Sequence, residues 1–277
     1  MRDKSVDRVA LEFICTFGMP PVAHIELAAR LGVRHIGFAP APVVTLPGLY
    51  PAWDLRTDAA LRRDTMRALE GNGVALSLGE GFLVMPGKDP ADLAADLDLA
   101  AELGAPLVNC CVLAPDMAFA VDHFGQFAAM AAERGLQVTV EFLAGMMAIG
   151  DLPAAAGLVR EVANPAAGLL IDAMHLYRSG ASHADLAALD PGMVRYAQVC
   201  DVPMVSAFEN YGEEASYERG APGEGELPLA QFVRALPTDI VIGLEAPMRA
   251  RTLAGVSAFD RLAPALAATR ALVAQAG

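Results

Sequence analysis

A single (β/α)8 barrel is the fold this sequence predicts, on three observations. Eight short apolar runs rich in β-branched residues alternate with longer stretches of Ala, Leu, Arg and Glu. Eight units in 277 residues give about 35 residues each, the size of one strand-helix unit. Gly32, Gly73, Gly104 and Gly135 each follow a helical stretch and precede a strand, where a left-handed C-cap belongs. The strand candidates are Val9–Thr16, His35–Ala39, Val74–Glu80, Leu107–Leu113, Gln137–Phe142, Gly168–Asp172, Tyr196–Asp201 and Ile240–Glu245. Amphipathic helices are expected over Pro21–Leu31, Asp58–Glu70, Pro90–Leu103 and Phe119–Arg134, with a last helix from about Ala254 to Ala276 closing the ring. No linker or shift in composition divides residues 1–277, so one domain is expected. The rival, a doubly wound sheet, usually carries a Gly-rich phosphate turn after its first strand, and CTFGMPP does not fit that motif.

Composition narrows the partners. A formal charge of −13, with 55% hydrophobic and 19% charged residues, argues against disorder and against a nucleic-acid backbone. No membrane span is expected, because the longest uncharged stretch through the apolar middle, Leu103–Pro115, ends at Asp116. The opening MRDKSVDRVALEF sets acids beside its bases and lacks the apolar core of an export signal. Lys4 and Lys88 are the only lysines, which leaves Schiff-base chemistry almost without candidates. Cys15, Cys110, Cys111 and Cys200 are too scattered for a disulfide framework, so reduced thiols and a cytoplasmic location are expected.

Function is expected at the C-terminal ends of the strands, where barrel enzymes build their sites. VTVEF ends at Glu141, LLIDAMH brings Asp172 and His175, YAQVCD brings Gln198 and Asp201, IVIGLEAP brings Glu245, and LSLGEGF brings Glu80. Successive spacings from Glu141 through Asp172 and Gln198 to Glu245 are 31, 26 and 47 residues. The last is longer because the stretch from Val202 to about Leu227 is an inserted loop above the mouth. Taken singly, each acid could cap a helix or pair with an Arg. Four polar ends in succession instead point Glu141, Asp172, Gln198 and Glu245 at one another, and three carboxylates so close repel unless a cation lies among them. Oxygen-only donors favour Mg2+ or Mn2+ over Zn2+.

Two further residues belong to this rim. His175 is either a site residue or a helix-entry histidine bonded to backbone. Arg219 opens a Gly/Pro-rich segment and suits a lid that brings a cation to an anionic or hydroxylated substrate; otherwise it is a solvated loop arginine. The surrounding Glu213, Glu214, Glu218, Glu224 and Glu226 make that loop a poor phosphate cradle. Glu80 and Asn109 are read first as structural, with contact to substrate hydroxyls as the alternative. Tyr50 and Trp53 offer an apolar wall from the second loop. Cys110 and Cys111 pack as small hydrophobes in a strand, and His24, His123 and His183 receive no role.

At these residues the chain resembles the sugar phosphate isomerase/epimerase superfamily of xylose-isomerase-like TIM barrels, over nearly its whole length. VTVEF, LLIDAMH, AQVCD, RGAPGEGELPL and IGLEAP carry the resemblance. It implies that Glu141, Asp172, Gln198 and Glu245 hold the metal while His175 and Arg219 bind substrate. Most isomerase and epimerase members have a His where Gln198 stands, whereas members similar to 3-dehydroshikimate dehydratases can carry Gln. The departure raises the dehydratase reading.

The leading expectation is a divalent-metal isomerase or epimerase of a keto-sugar or related polyhydroxy ketone. Glu141 and Glu245 would remove and return a proton beside a metal-bound carbonyl. The first alternative is a lyase that dehydrates a cyclic polyhydroxy ketone such as 3-dehydroshikimate or an inosose. The second is a non-catalytic sugar-binding barrel. A homo-oligomer is expected, since barrels of this type often pair.

Overall fold

The computed structural model describes residues 7–275; the opening segment with Lys4 and the expected helix end at Ala276 lie outside them. Eight parallel strands follow one another around a closed ring, and the eighth pairs back onto the first. They are β1 (Val9–Leu11), β2 (His35–Phe38), β3 (Ala75–Val84), β4 (Leu107–Val112), β5 (Gln137–Glu141), β6 (Ala167–Asp172), β7 (Val194–Val199) and β8 (Val241–Leu244). Outside them run α1 (Pro21–Arg30), α2 (Ala59–Asn72), α3 (Ala94–Glu102), α4 (Met117–Glu133) and α5 (Leu152–Val162). The short helices α6 (Ala173–Arg178), α7 (His183–Ala187), α8 (Tyr211–Tyr217), α9 (Leu229–Ala235) and α10 (Arg249–Leu253) precede the long α11 (Ala258–Ala274). Among the described residues, no helix is long and apolar enough to cross a membrane.

Strands covered on both faces read as apolar blocks, and here they pack against the helices through one continuous core. Helix starts are set by side chains: Asp58, Asp116 and Asp151 each accept a hydrogen bond from the backbone N–H three residues on. Gly32, Gly73, Gly104 and Gly135 all adopt positive φ, as their C-cap positions require.

Three elements differ from expectation. The run Val9–Thr16 stops as a strand at Leu11 and turns into a 3-10 helix over Phe13–Thr16. Strand β3 continues four residues beyond Glu80, with a register shift against β4 between Gly79 and Phe82. The last helix starts at Ala258 instead of about Ala254, because Gly255 takes a φ of 84° between α10 and α11.

Inside the ring, Ala10, Leu78, Leu107, Leu170 and Tyr196 make an apolar layer. Because side chains alternate along a strand, the residue two positions on occupies the same face one layer higher. Those residues are Glu12, Glu80, Asn109, Asp172 and Gln198. The polar layer therefore sits directly on the apolar one, at the C-terminal mouth.

Candidate active site at the barrel mouth

Glu141 and Asp172 close β5 and β6, Gln198 is the penultimate residue of β7, and Glu245 follows β8 directly. All four are buried, together with His175 and Arg219. Arg219 reaches the centre because its loop is pinned twice, by antiparallel bridges of Gly220 to Asp201 and of Glu218 to Met248. Asp201 serves this loop rather than the mouth: its carboxylate accepts from the backbone N–H groups of Gly223 and Leu227 at 2.8 and 3.1 Å. Gly225 is packed so close that a Cβ there would come within 2.4 Å of Asp201 Oδ1 and Val202 N.

The guanidinium of Arg219 donates to Asp172 Oδ2 at 3.1 Å and to Glu245 Oε2 at 2.6 Å. Only 3% of the residue is exposed, which rules out the solvated loop arginine. A planar fork of donors can span two acids at once, and here it joins the carboxylates that end β6 and follow β8. Burial alone would depress Arg219, but Glu245 and Asp172 hold its pKa above the usual arginine range.

His175 lies on α6, where its backbone N–H donates to Asp172 Oδ1 at 2.9 Å. Its ring is held by a side chain instead of backbone: Nδ1 hydrogen-bonds the Tyr211 hydroxyl, and Nε2 lies 3.6 Å from Glu141 Oε1. Burial lowers the imidazole pKa to about 4. Asn109 Nδ2 donates to Glu141 Oε2 at 2.7 Å, and Thr139 donates to Asn109 in turn. Asn109 thus orients Glu141.

Glu80 and Glu12 extend the site downward. Gln198 Nε2 donates to Glu80 Oε1 and Glu245 Oε1, both at 3.1 Å. Tyr196 donates to Glu12 Oε1 at 2.7 Å and sits 3.0 Å from Ser77 Oγ. Gly37 and Gly243 flank Glu12 on β2 and β8; a Cβ at either would overlap its carboxyl, at 2.2 and 1.7 Å. Burial first, and neighbouring carboxylates next, raise Glu80 and Glu141 well above the usual carboxylate range and push Glu12 to about 8. Burial also raises Glu245, against the opposing pull of Arg219. Glu12 and Tyr211 escaped the sequence reading. The signal for Glu12 was a lone acid inside VALEFICTF. Tyr211 had none, since long-range packing of α8 sets its position.

Among the described residues, no three Asp, Glu, His or Cys side chains gather into a metal cluster. The donor chemistry nevertheless fits a hard divalent ion. Glu141, Asp172, Gln198 and Glu245 present only oxygen ligands, and Gln198 Oε1 is buried with no hydrogen-bond partner among the described residues. Carboxylates held above their usual range by burial, and further by one another's charge, are also the groups a divalent charge relieves.

Comparison with known proteins agrees with the barrel fold. A 3-dehydroshikimate dehydratase of Pseudomonas aeruginosa is 30% identical over 141 residues, 49% of this chain and 22% of that protein. One of Pseudomonas putida is 26% identical over 192 residues, 65% of this chain and 30% of that protein. The matched region thus spans less than a third of either relative. A crystal structure described as the IOLI protein with a binding zinc atom shares the fold, with a TM-score of 0.80 at 15% identity over 97% of this chain and 99% of that one. A family model described as xylose isomerase-like TIM barrel matches residues 25–270, and the chain belongs to that family.

Proposed function

We propose that the chain dehydrates a cyclic polyhydroxy ketone of the 3-dehydroshikimate type, with Mg2+ or Mn2+ held by Glu141, Asp172, Gln198 and Glu245. The observation that carries this reading is the unequal state of the two acids expected to move protons. Glu245 is tied down by Arg219 and Gln198. Glu141 Oε1 instead faces the His175 ring at 3.6 Å. Epimerisation needs two free bases on opposite sides of a carbon, whereas elimination needs one group that takes a proton and a route for it to the departing hydroxyl. The names of the two Pseudomonas relatives and the amide at position 198 support the same choice.

A divalent ion held by Glu141, Asp172, Gln198 and Glu245 would supply Lewis-acid stabilisation for negative charge on the ketone oxygen. His175 takes the proton at Nε2, with its Nδ1 held by a hydrogen bond to the Tyr211 hydroxyl. Glu141, oriented by Asn109, steadies the imidazolium that forms. Arg219 fixes Asp172 and Glu245 and lends the site a positive charge. One C–H bond and one C–O bond break, a C=C bond forms, and proton and hydroxide leave together as water.

Metal-loaded protein mixed with 3-dehydroshikimate should develop the ultraviolet absorbance of a conjugated product. His175→Asn should slow that rise by about 10²–10⁴-fold with its circular dichroism unchanged. The second reading is an isomerase or epimerase of a keto-sugar, favoured by the placement of Glu141 and Glu245 on non-adjacent strands of the ring. Deuterium entering a recovered keto-sugar from D2O, with no new absorbance from 3-dehydroshikimate, would overturn the dehydratase and establish that second reading.

A further inference from the structure

Between α1, the second loop and the segment joining α10 to α11 lies a crevice of about 590 Å³, a volume typical of small-ligand sites. None of Glu141, Asp172, Gln198 or Glu245 lines it. Arg261, the fourth residue of α11, does, and it is only 2% exposed. Among the described residues, its Nε and Nη1 have no hydrogen-bond partner and no carboxylate pairs with it. Its guanidinium lies over the Phe17 ring at 5.4 Å, a contact that leaves the N–H donors unused. Buried charges are normally paired or ligated, because an uncompensated one costs several kcal/mol. An Arg left in this state on the wall of a crevice lacks a counter-anion.

The rest of the lining agrees in sign and shape. Arg30 lies on the same crevice, packed over Phe259 at 5.0 Å. Ser257 caps the 17-residue α11, whose positive end borders the same space. Glu26 is the one acid on the lining, and it is exposed. Leu49, Tyr50 and Phe259 give the remaining wall an apolar character suited to a flat or ring-sized body. We propose that this crevice is a second ligand site, which binds an organic carboxylate with its oxygens on Arg261 and its ring against Tyr50 and Phe259.

Calorimetry on the full chain, with benzoate as the probe, tests this. Binding is expected in the wild type, and Glu141→Gln at the barrel mouth should leave it unchanged. Arg261→Met, which keeps an apolar stem and removes the charge, should weaken it by about tenfold or more. Val256→Trp should do the same by filling the crevice with Arg261 intact, and it decides the matter if Arg261→Met fails to fold. Inorganic phosphate should bind at least about tenfold more weakly than benzoate, because it offers nothing to the apolar wall. The proposal is overturned by benzoate binding that neither crevice variant changes, by binding that Glu141→Gln abolishes, by no binding at all, or by phosphate binding as tightly as benzoate.

Discussion

Arg219 holds two buried acids with one guanidinium, so its removal should be costly in a way that depends on geometry as well as charge. Arg219→Met leaves Asp172 and Glu245 buried without their partner. Breaking a buried pair in this manner costs about 3–5 kcal/mol, and a urea titration should show that loss as a lowered midpoint with an unchanged slope. Arg219→Lys keeps the charge but presents no planar fork, and should recover only part of it. Equal stability of Arg219→Met and the wild type would mean that the two acids are neutral without it, and the ion-pair account would fail. The strand-end residues were legible in the sequence because an acid or amide closing an apolar run is expensive to bury unless it has work to do. Arg219 was legible as a residue but not as a position. Its place is decided by two bridges, to the segments that follow β7 and β8, that no local pattern announces. Glu12 was hidden because the run around it read as uninterrupted strand.

At the level of elements, periodicity and capping located all eight strands and the four expected helices between them, because both signals are local. What they missed were the breaks: the turn after Leu11, the extension of β3 and the gap at Gly255 depend on contacts from other parts of the ring. Helix α1 shows how such a contact acts. His24 fixes it to the 3-10 turn, with Nδ1 3.3 Å from Thr16 Oγ1 and its ring edge-on to Phe13. Burial lowers its pKa to about 4, and Nε2 has no partner among the described residues. Between that value and the unfolded value near 6.5, the unfolded chain binds the proton and the folded chain does not. The contribution of His24 is therefore complete above pH 6.5 and is lost as the pH falls toward 4, by about 3 kcal/mol. His24→Leu should remove this dependence. Unfolding free energies measured from pH 7 to pH 4.5 should fall more steeply in the wild type than in the variant, and parallel curves would refute the assignment.

For the molecule as a whole, closing the ring is what creates the electrostatic problem at its mouth. Glu12, Glu80, Glu141 and Glu245 arrive from four different strands, in a chain whose formal charge is already −13. None of them faces the others until β8 pairs with β1, so the repulsion belongs to the folded state alone. A divalent ion that binds only the closed ring should accordingly stabilise the entire barrel. At 100 times its dissociation constant the gain is about 2.7 kcal/mol, about 5 °C in melting temperature for a chain of this size. Mn2+ or Mg2+ should produce that rise after chelator treatment. Sodium chloride at matched ionic strength should produce far less, since screening acts weakly on buried groups. Gln198→Ala should reduce the shift by removing one oxygen donor while leaving the three acids in place. A metal-dependent rise no larger than that from sodium chloride would mean that Arg219 alone neutralises the mouth, and the metal would have to be withdrawn from the proposed chemistry.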